Sequence, residues 1–131
     1  MKTQFSPKNN PRVIIIQKLY GILFNKDNNI DFPKHRFKKF IKDVVNGTIE
    51  RNEVIDNEIN LHLKNDIDVR RINKVFEVIL KSAIFELLYK PTTSTNIIIK
   101  EYLNASNFFI DLSQPKFLNA VLDKLSKKIR N

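Results

Sequence analysis

The sequence has 131 residues, 42% of them hydrophobic, with two glycines, five prolines and no cysteine. This composition indicates one packed, mostly helical domain and excludes disulfides, thiolate metal sites and cysteine nucleophiles. The net charge of +9 favours an acidic partner such as nucleic acid. Because charges interrupt every apolar run well before membrane-spanning length, we expect a cytoplasmic protein that engages no membrane.

Positive charge is concentrated near both ends of the chain. Residues 1–26 and 33–42 contain Lys and Arg but no Asp or Glu, and a second basic cluster follows Lys116. We expect residues 1–10 to form a flexible basic arm ahead of a domain over 11–131. An RNA-binding surface and an ordinary solvated face, enriched in Lys by an AT-rich genome, both account for this charge.

Apolar spacing predicts two helices in the first half of the chain. Pro11 suits a first helical turn, and the apolar stripe that follows predicts helix 1 over about 11–24. Residues 25–31 form a loop. The next stripe predicts a second, unusually long helix that includes residues 37–63 and ends at Asn65-Asp66. Gly47 inside it indicates either close approach of a neighbouring helix or a kink.

The second half predicts three more helices. The 3-4 spacing of apolar residues from Val69 to Leu88 predicts the central helix of the core, and Pro91 stops it. Hydroxyl residues at 92–95 can cap a fourth helix that extends to Phe109. Ser113 and Pro115 predict the start of a last helix. The fold class is therefore all-α, in one domain.

Motifs for catalysis or cofactor binding are not found. Two glycines cannot build a dinucleotide or Walker loop, and no Gly-x-Ser-x-Gly exists, so we expect no enzyme activity and no cofactor. Glu58 and His62, at helical i, i+4 spacing, could share a metal ion, but a solvated surface pair is the stronger interpretation. Glu86 lies in the most apolar helix, so it requires either a paired Lys or Arg or a contact with a partner.

Single-stranded RNA requires cations for its phosphates and aromatic rings for its bases. Such residues occur together in the first helix and at the start of the last helix, where free backbone N–H groups also attract phosphate. Core packing is the competing role for each ring. The candidate RNA-binding residues are Lys8, Arg12, Lys18, Tyr20, Lys116 and Phe117.

Residues 116–124, KFLNAVLDK, resemble the Lys-Phe-Val-Asn-Gly-Val-Leu-Asp-Lys signature of the NusB family. Three further segments are similar to the family in the same order. Residues 17–20 resemble Gln-Ala-Leu-Tyr, residues 84–88 resemble Ala-Tyr-Glu-Leu-Leu, and residues 97–101 resemble Val-Ala-Ile-Asn-Glu. The resemblance extends from about residue 11 to residue 130.

The resemblance implies a NusB-like helical bundle that acts in transcription antitermination, chiefly at ribosomal RNA operons. It implies binding of boxA-like single-stranded RNA together with NusE, a small-subunit ribosomal protein, in the transcription elongation complex. Arg12, Tyr20, Lys116 and Phe117 would contact RNA, and Glu86 and Glu101 would face NusE. The family also includes monomers and dimers, so a homodimer is possible.

The chain departs from the family pattern at several positions. The arginine-rich run at the start is reduced to Lys8 and Arg12, and Ala120 replaces the signature glycine. Lys100, Ser94 and Ser113 replace the usual Asn, Pro and Asp. These changes leave the predicted fold intact and concern the strength and sequence preference of RNA binding.

Two other roles fit the same pattern. NusB-like domains are also found fused to ribosomal RNA cytosine methyltransferases, although these 131 residues contain no Rossmann fingerprint for the cofactor. A protein-interaction module that oligomerises through helical faces is the alternative from another functional class.

Overall fold

The computed structural model describes residues 9–26, 31–109 and 114–130. Within these ranges the chain forms six α-helices and no β-strand, which confirms the all-α fold class. None of the described helices is both long and apolar enough to cross a membrane. The helices are α1 (Pro11–Phe24), α2 (Lys38–Glu50), α3 (Asn52–Leu63), α4 (Lys74–Tyr89), α5 (Thr95–Ser106) and α6 (Pro115–Arg130).

Helix α4 lies at the centre of the bundle, as its apolar pattern predicts. It packs against each of the other five helices, and every residue from Phe76 to Leu87 is buried. A helix buried on all sides must be surrounded by apolar stripes of its neighbours. Fully buried side chains of those neighbours include Ile15, Leu19, Ile41, Val44, Ile55, Ile59, Ile98, Tyr102, Leu118 and Leu122.

Helix α1 begins and ends where the sequence predicts. The Asn10 side chain accepts hydrogen bonds from the backbone N–H groups of Arg12 and Val13, at 3.0 and 3.3 Å. Pro11 occupies the first turn, where its missing N–H leaves no bond unmade. The cap therefore fixes where the helix starts, and with it the side on which Arg12 points.

The predicted long second helix is wrong, because the chain bends at Arg51 and forms α2 and α3. Arg51 has φ −106° and ψ 22°, outside helical values, while its N–H still bonds to the carbonyl of Gly47 at 2.9 Å. Helix α2 packs on α1 and α4, whereas α3 packs on α4 and α6. A straight helix could not keep both halves of the apolar stripe against these different neighbours.

The predicted start of the central helix is also wrong, since α4 begins at Lys74. The Asn73 side chain caps it by accepting from the N–H groups of Val75 and Phe76, at 2.7 and 3.4 Å. Before this cap, Asp68 organises a turn by accepting from the N–H of Arg70 at 3.1 Å. Three apolar residues of this segment, Ile67, Val69 and Ile72, pack on the core from a loop. Their spacing continues the apolar pattern of α4, so the sequence predicts a helix where the chain forms a loop.

Helix α5 is capped by Ser94, whose Oγ accepts from the N–H of Ile97 at 3.2 Å, and it ends at Ser106, before the predicted Phe109. The predicted cap of α6 at Ser113 lies outside the described residues. At the other end of α6, the Arg130 guanidinium donates to the carbonyls of Leu87, Lys90 and Thr93 at 2.9, 2.9 and 2.7 Å. It thereby closes the carboxyl end of α4, as cations at helix ends do.

Gly47 provides a test of the packing between α2 and α4. A Cβ at this position would lie 2.3 Å from Cε1 and Cζ of the buried Phe85 ring. We expect Gly47→Ala to lower the free energy of unfolding by about 1–2 kcal/mol, since overpacking outweighs the helix propensity of Ala. In a Phe85→Leu background the same change should cost less. Urea unfolding measures both values, and equal costs would contradict the proposed steric origin.

Candidate nucleic-acid interface

The first turn of α4 brings together aromatic side chains from the two ends of the chain. The Phe117 ring of α6 stacks on Phe76, with centroids 5.4 Å apart and planes 22° apart. On the other side, the Lys74 ammonium lies 5.2 Å from the centroid of the Phe24 ring of α1. Phe24 in turn contacts Tyr20 at 5.8 Å. These five residues define the α1–α4–α6 face.

Phe117 is the most accessible ring of this face. Its side chain is 41% exposed, whereas Phe76 beneath it is 1% exposed, and Tyr20 and Phe24 are half-buried. Phe76 therefore supports Phe117 from below and leaves the outer side of the Phe117 ring open. A ring held in this way is suited to stacking on an unpaired base.

A lysine and the amino end of α6 lie beside the exposed ring. Lys116 is exposed and directly precedes Phe117 in the first turn of α6, which contains no acidic residue. The next residue, Leu118, is fully buried and anchors this turn in the core. Lys116 and Leu118 are two residues apart, so at about 100° per residue they point to nearly opposite sides of the helix. Charge and the helix dipole together make this turn attractive to phosphate.

A buried ion pair lies inside the bundle between α1 and α4. The Arg12 guanidinium donates from Nη2 to Glu86 Oε1 at 2.7 Å and from Nε to Oε2 at 3.0 Å. The Tyr102 hydroxyl of α5 donates to the same Oε2 at 2.5 Å. Glu86 and Tyr102 are fully buried, and Arg12 is 7% exposed. Three helices are therefore joined at one carboxylate.

This environment raises the pKa of both Arg12 and Tyr102. Burial lowers the pKa of Arg12, but the hydrogen bond and charge of Glu86 outweigh it and raise the pKa above its usual value. For Tyr102, burial is the main cause of a pKa raised well above the usual value, and the charge of Glu86 adds to it. Arg12 thus stays charged and Tyr102 stays a hydrogen-bond donor.

Comparison with known proteins identifies the family. Residues 9–127 match the model of the NusB family. The chain belongs to the NusB family. The resemblance of residues 116–124 to the NusB signature is therefore confirmed, and the most exposed part of the α1–α4–α6 face lies within that segment.

Relatives within the NusB family include proteins called transcription antitermination protein NusB. One from Rickettsia massiliae is 30% identical over 122 residues, which cover 87% of this chain and 76% of the relative. One from Helicobacter pylori is 39% identical over 90 residues, covering 69% and 64%. The solved structure of T. maritima NusB, 23% identical, superposes with a TM-score of 0.78 and covers 98% of this chain and 94% of its own. It shows that the chain has the NusB fold.

Two residues predicted at surfaces are located in the core. Arg12, predicted to contact RNA, and Glu86, predicted to face NusE, bind each other and are shielded from solvent. In this arrangement neither side chain is available for a direct contact with RNA or protein. Pairing of Glu86 with a cation, the other possibility for this residue, is what the structure shows.

The remaining predicted residues do not all lie on one face. Tyr20, Lys116 and Phe117 lie on or beside the α1–α4–α6 face, whereas Lys18 points toward Phe32, with Nζ 5.8 Å from that ring. Glu101 is half-buried on α5. Lys8 lies outside the described residues. The predicted Glu58 and His62 pair forms, at 3.1 Å, and no group of three metal-ligating residues exists among the described residues.

Three residues of the site were missed by the sequence analysis. The sequence predicts Phe24 and Phe76 only as members of the apolar stripes of helix 1 and the central helix, and it predicts Lys74 inside a central helix that starts earlier than α4. The position of Asn73 before an apolar run was the available signal for the true start of α4. No local pattern indicates that Phe76 supports Phe117, because the two residues are far apart in sequence although their ring centroids are only 5.4 Å apart.

Breaking the buried ion pair tests its contribution to stability. Glu86→Leu leaves the Arg12 charge buried without a counter-charge, so we expect the free energy of unfolding to fall by about 3–5 kcal/mol. The triple variant Arg12→Met, Glu86→Leu, Tyr102→Phe removes every group that needs the carboxylate and should recover most of this loss. Urea unfolding compares the two, and a triple variant less stable than Glu86→Leu would contradict the charge argument.

Proposed function

We propose that this chain is a transcription antitermination factor that binds boxA-like single-stranded RNA together with NusE and supports ribosomal RNA transcription. It acts within the transcription elongation complex by binding, without making or breaking covalent bonds. The supporting observation is the exposed Phe117 ring, stacked on Phe76 beside Lys116, within the NusB signature segment. The names of its relatives, transcription antitermination protein NusB, support the same role.

In this proposal RNA binds to residues on and beside the α1–α4–α6 face. Phe117 stacks on a base, and Lys116 and the amino end of α6 bind the adjacent phosphates. Tyr20 offers a hydroxyl and a half-buried ring at the opposite edge. Arg12 and Glu86 act from inside, because their ion pair holds α1 against α4 and so sets the spacing between Tyr20 and Phe117.

NusE would bind the side of the bundle that includes α5. Of the two acidic residues predicted to face NusE, Glu101 is half-buried and accessible, whereas Glu86 is fully buried. The apolar side chain of Ile97, 51% exposed on the same helix, adds surface for a protein partner. Loss of NusE binding in Glu101→Lys, with RNA binding kept, would support this location.

Binding of boxA RNA is the direct test of the function. The purified chain should bind a short boxA RNA more tightly than a scrambled RNA of the same length, and adding NusE should strengthen this preference. Fluorescence anisotropy with both RNAs measures it. Equal affinity for the two RNAs, unchanged by NusE, would reject the antitermination role and favour a protein-interaction module.

Substitutions in the signature segment separate stacking from charge. Phe117→Ala should weaken RNA binding by about 1–3 kcal/mol through loss of a stacked base. Lys116→Gln should reduce the slope of log affinity against log salt by about 0.7, as expected for one phosphate contact on a single strand. Lys128→Gln, an exposed lysine at the other end of α6, is the matched control. Unfolding of Phe117→Ala, or equal slopes for the two lysine variants, would contradict these assignments.

A further inference from the structure

A second basic surface lies on the other side of α1 from Tyr20. Lys18 and Tyr20 are two residues apart, and at about 100° per residue they point to nearly opposite sides of the helix. Lys18 faces an open cleft of ≈ 1080 Å³ between α1 and the segment that leads into α2. Lys18, Phe32, Lys34 and Arg36 line this cleft. Phe37 and Lys42 adjoin it through their contacts with Arg36 and Phe32. We call the surface that these six residues form the α1–α2 cleft.

Aromatic rings in the cleft are surrounded by cations. The half-buried ring of Phe32 lies between the ammonium groups of Lys18 and Lys42, which are 5.8 and 6.0 Å from its centroid. Phe37 is 42% exposed, and the Arg36 guanidinium lies 5.0 Å from its ring. Cations held against a ring are positioned to bind an anion, while the exposed ring of Phe37 can stack on a base.

The cations of this surface outnumber the acidic residues near it. Lys34, Lys38 and Lys39 are exposed, and none of them is in an ion pair within the part of the chain that the structure describes. Two acidic residues lie nearby: Asp31 lines the cleft, and Asp43 pairs with Lys90 at 3.5 Å.

Helix α2 adds to the positive potential. Its first turn contains no acidic residue, and no side chain caps it. Lys38, Lys39 and Lys42 are at i, i+1 and i+4 of this helix, so they share one side of its first turn and a half. The positive end of the helix dipole and three ammonium groups therefore act on the same space.

We propose that the α1–α2 cleft binds a second stretch of single-stranded RNA, continuous with the strand on the α1–α4–α6 face and passing around α1. It would bind phosphates through the cluster of cations and stack one base on Phe37, without reading a particular sequence. This inference rests on the proposed function. Because α1 supplies Tyr20 to one surface and Lys18 to the other, one helix about 10–12 Å across separates the two.

The chemistry favours RNA over other anionic partners. Phe37 is the one large apolar side chain at this cleft that is more than a third exposed among the described residues, which is too little for insertion into a lipid surface. An acidic protein segment would use the lysines but would not need an exposed ring flanked by a guanidinium. Cations interleaved with open rings are typical of surfaces that follow a single strand.

Length-dependent RNA binding tests this inference. The full chain is titrated with a boxA core RNA of about 12 nucleotides and with the same core extended by about 8 uridines at either end. We expect the extension to increase the affinity about 10-fold at low salt and to steepen the salt dependence by about 2, as for three more phosphate contacts. No gain from either extension would overturn the inference.

Two charge-matched variants show which surface provides the increase in affinity for the extended RNA. The triple variant Lys38→Gln, Lys39→Gln, Lys42→Gln should lose this increase and keep its affinity for the core RNA. The control, Lys100→Gln, Lys127→Gln, Lys128→Gln, removes the same charge from exposed positions on α5 and α6 and should keep the gain. Equal losses in both variants would show a general charge effect and overturn the assignment.

Phe37→Leu provides a test that does not change the charge. It keeps an apolar side chain and should lower affinity for the extended RNA about 5-fold, with no change for the core RNA. Polyglutamate that competes as well as polyuridylate would indicate an acidic protein ligand and overturn the RNA assignment. Preference for boxA over scrambled core RNA reports the proposed function alone, so failure of either hypothesis is recognised separately.

Discussion

A carboxylate in the central, buried helix α4 must be paired. The arrangement of three helices follows from how Glu86 is paired. Its two oxygens accept hydrogen bonds from Arg12 of α1 and Tyr102 of α5, all within the core. Unpaired charge at this depth would cost several kcal/mol, so alternative packings of α1 or α5 on α4 are strongly disfavoured. The ion pair thus selects one arrangement among those that apolar packing alone would allow.

The surface of the bundle depends on this internal order. With α1 held on α4, Phe24 comes against Lys74, and with α6 packed on the same helix, Phe117 comes against Phe76. Residues from opposite ends of the chain therefore form one face over the first turn of α4. Because the Asn73 cap fixes where α4 begins, it also fixes the positions of Lys74 and Phe76.

The same geometry distributes positive charge over two sides of α1. The α1–α4–α6 face contains rings supported from below and a cation at the start of α6. The α1–α2 cleft contains a denser set of cations around Phe32 and Phe37. The two surfaces lie on either side of a single helix, so one RNA strand can reach both. In the linear sequence their cations belong to separate basic clusters.

Local sequence was sufficient for the helical class, for the bounds of α1 at Pro11 and Phe24, and for the central position of α4, since each depends on residues within a few positions of one another. The signature at 116–124 was likewise enough to place the chain in the NusB family, which the family model confirms. Apolar periodicity could not show the bend at Arg51 or the loop before α4, because the stripe continues through both. Only tertiary structure decided that Arg12 pairs with Glu86, that Phe76 supports Phe117, and that Lys18 lies against Phe32. These are contacts between residues distant in sequence, and burial of a shared core, not local preference, sets them.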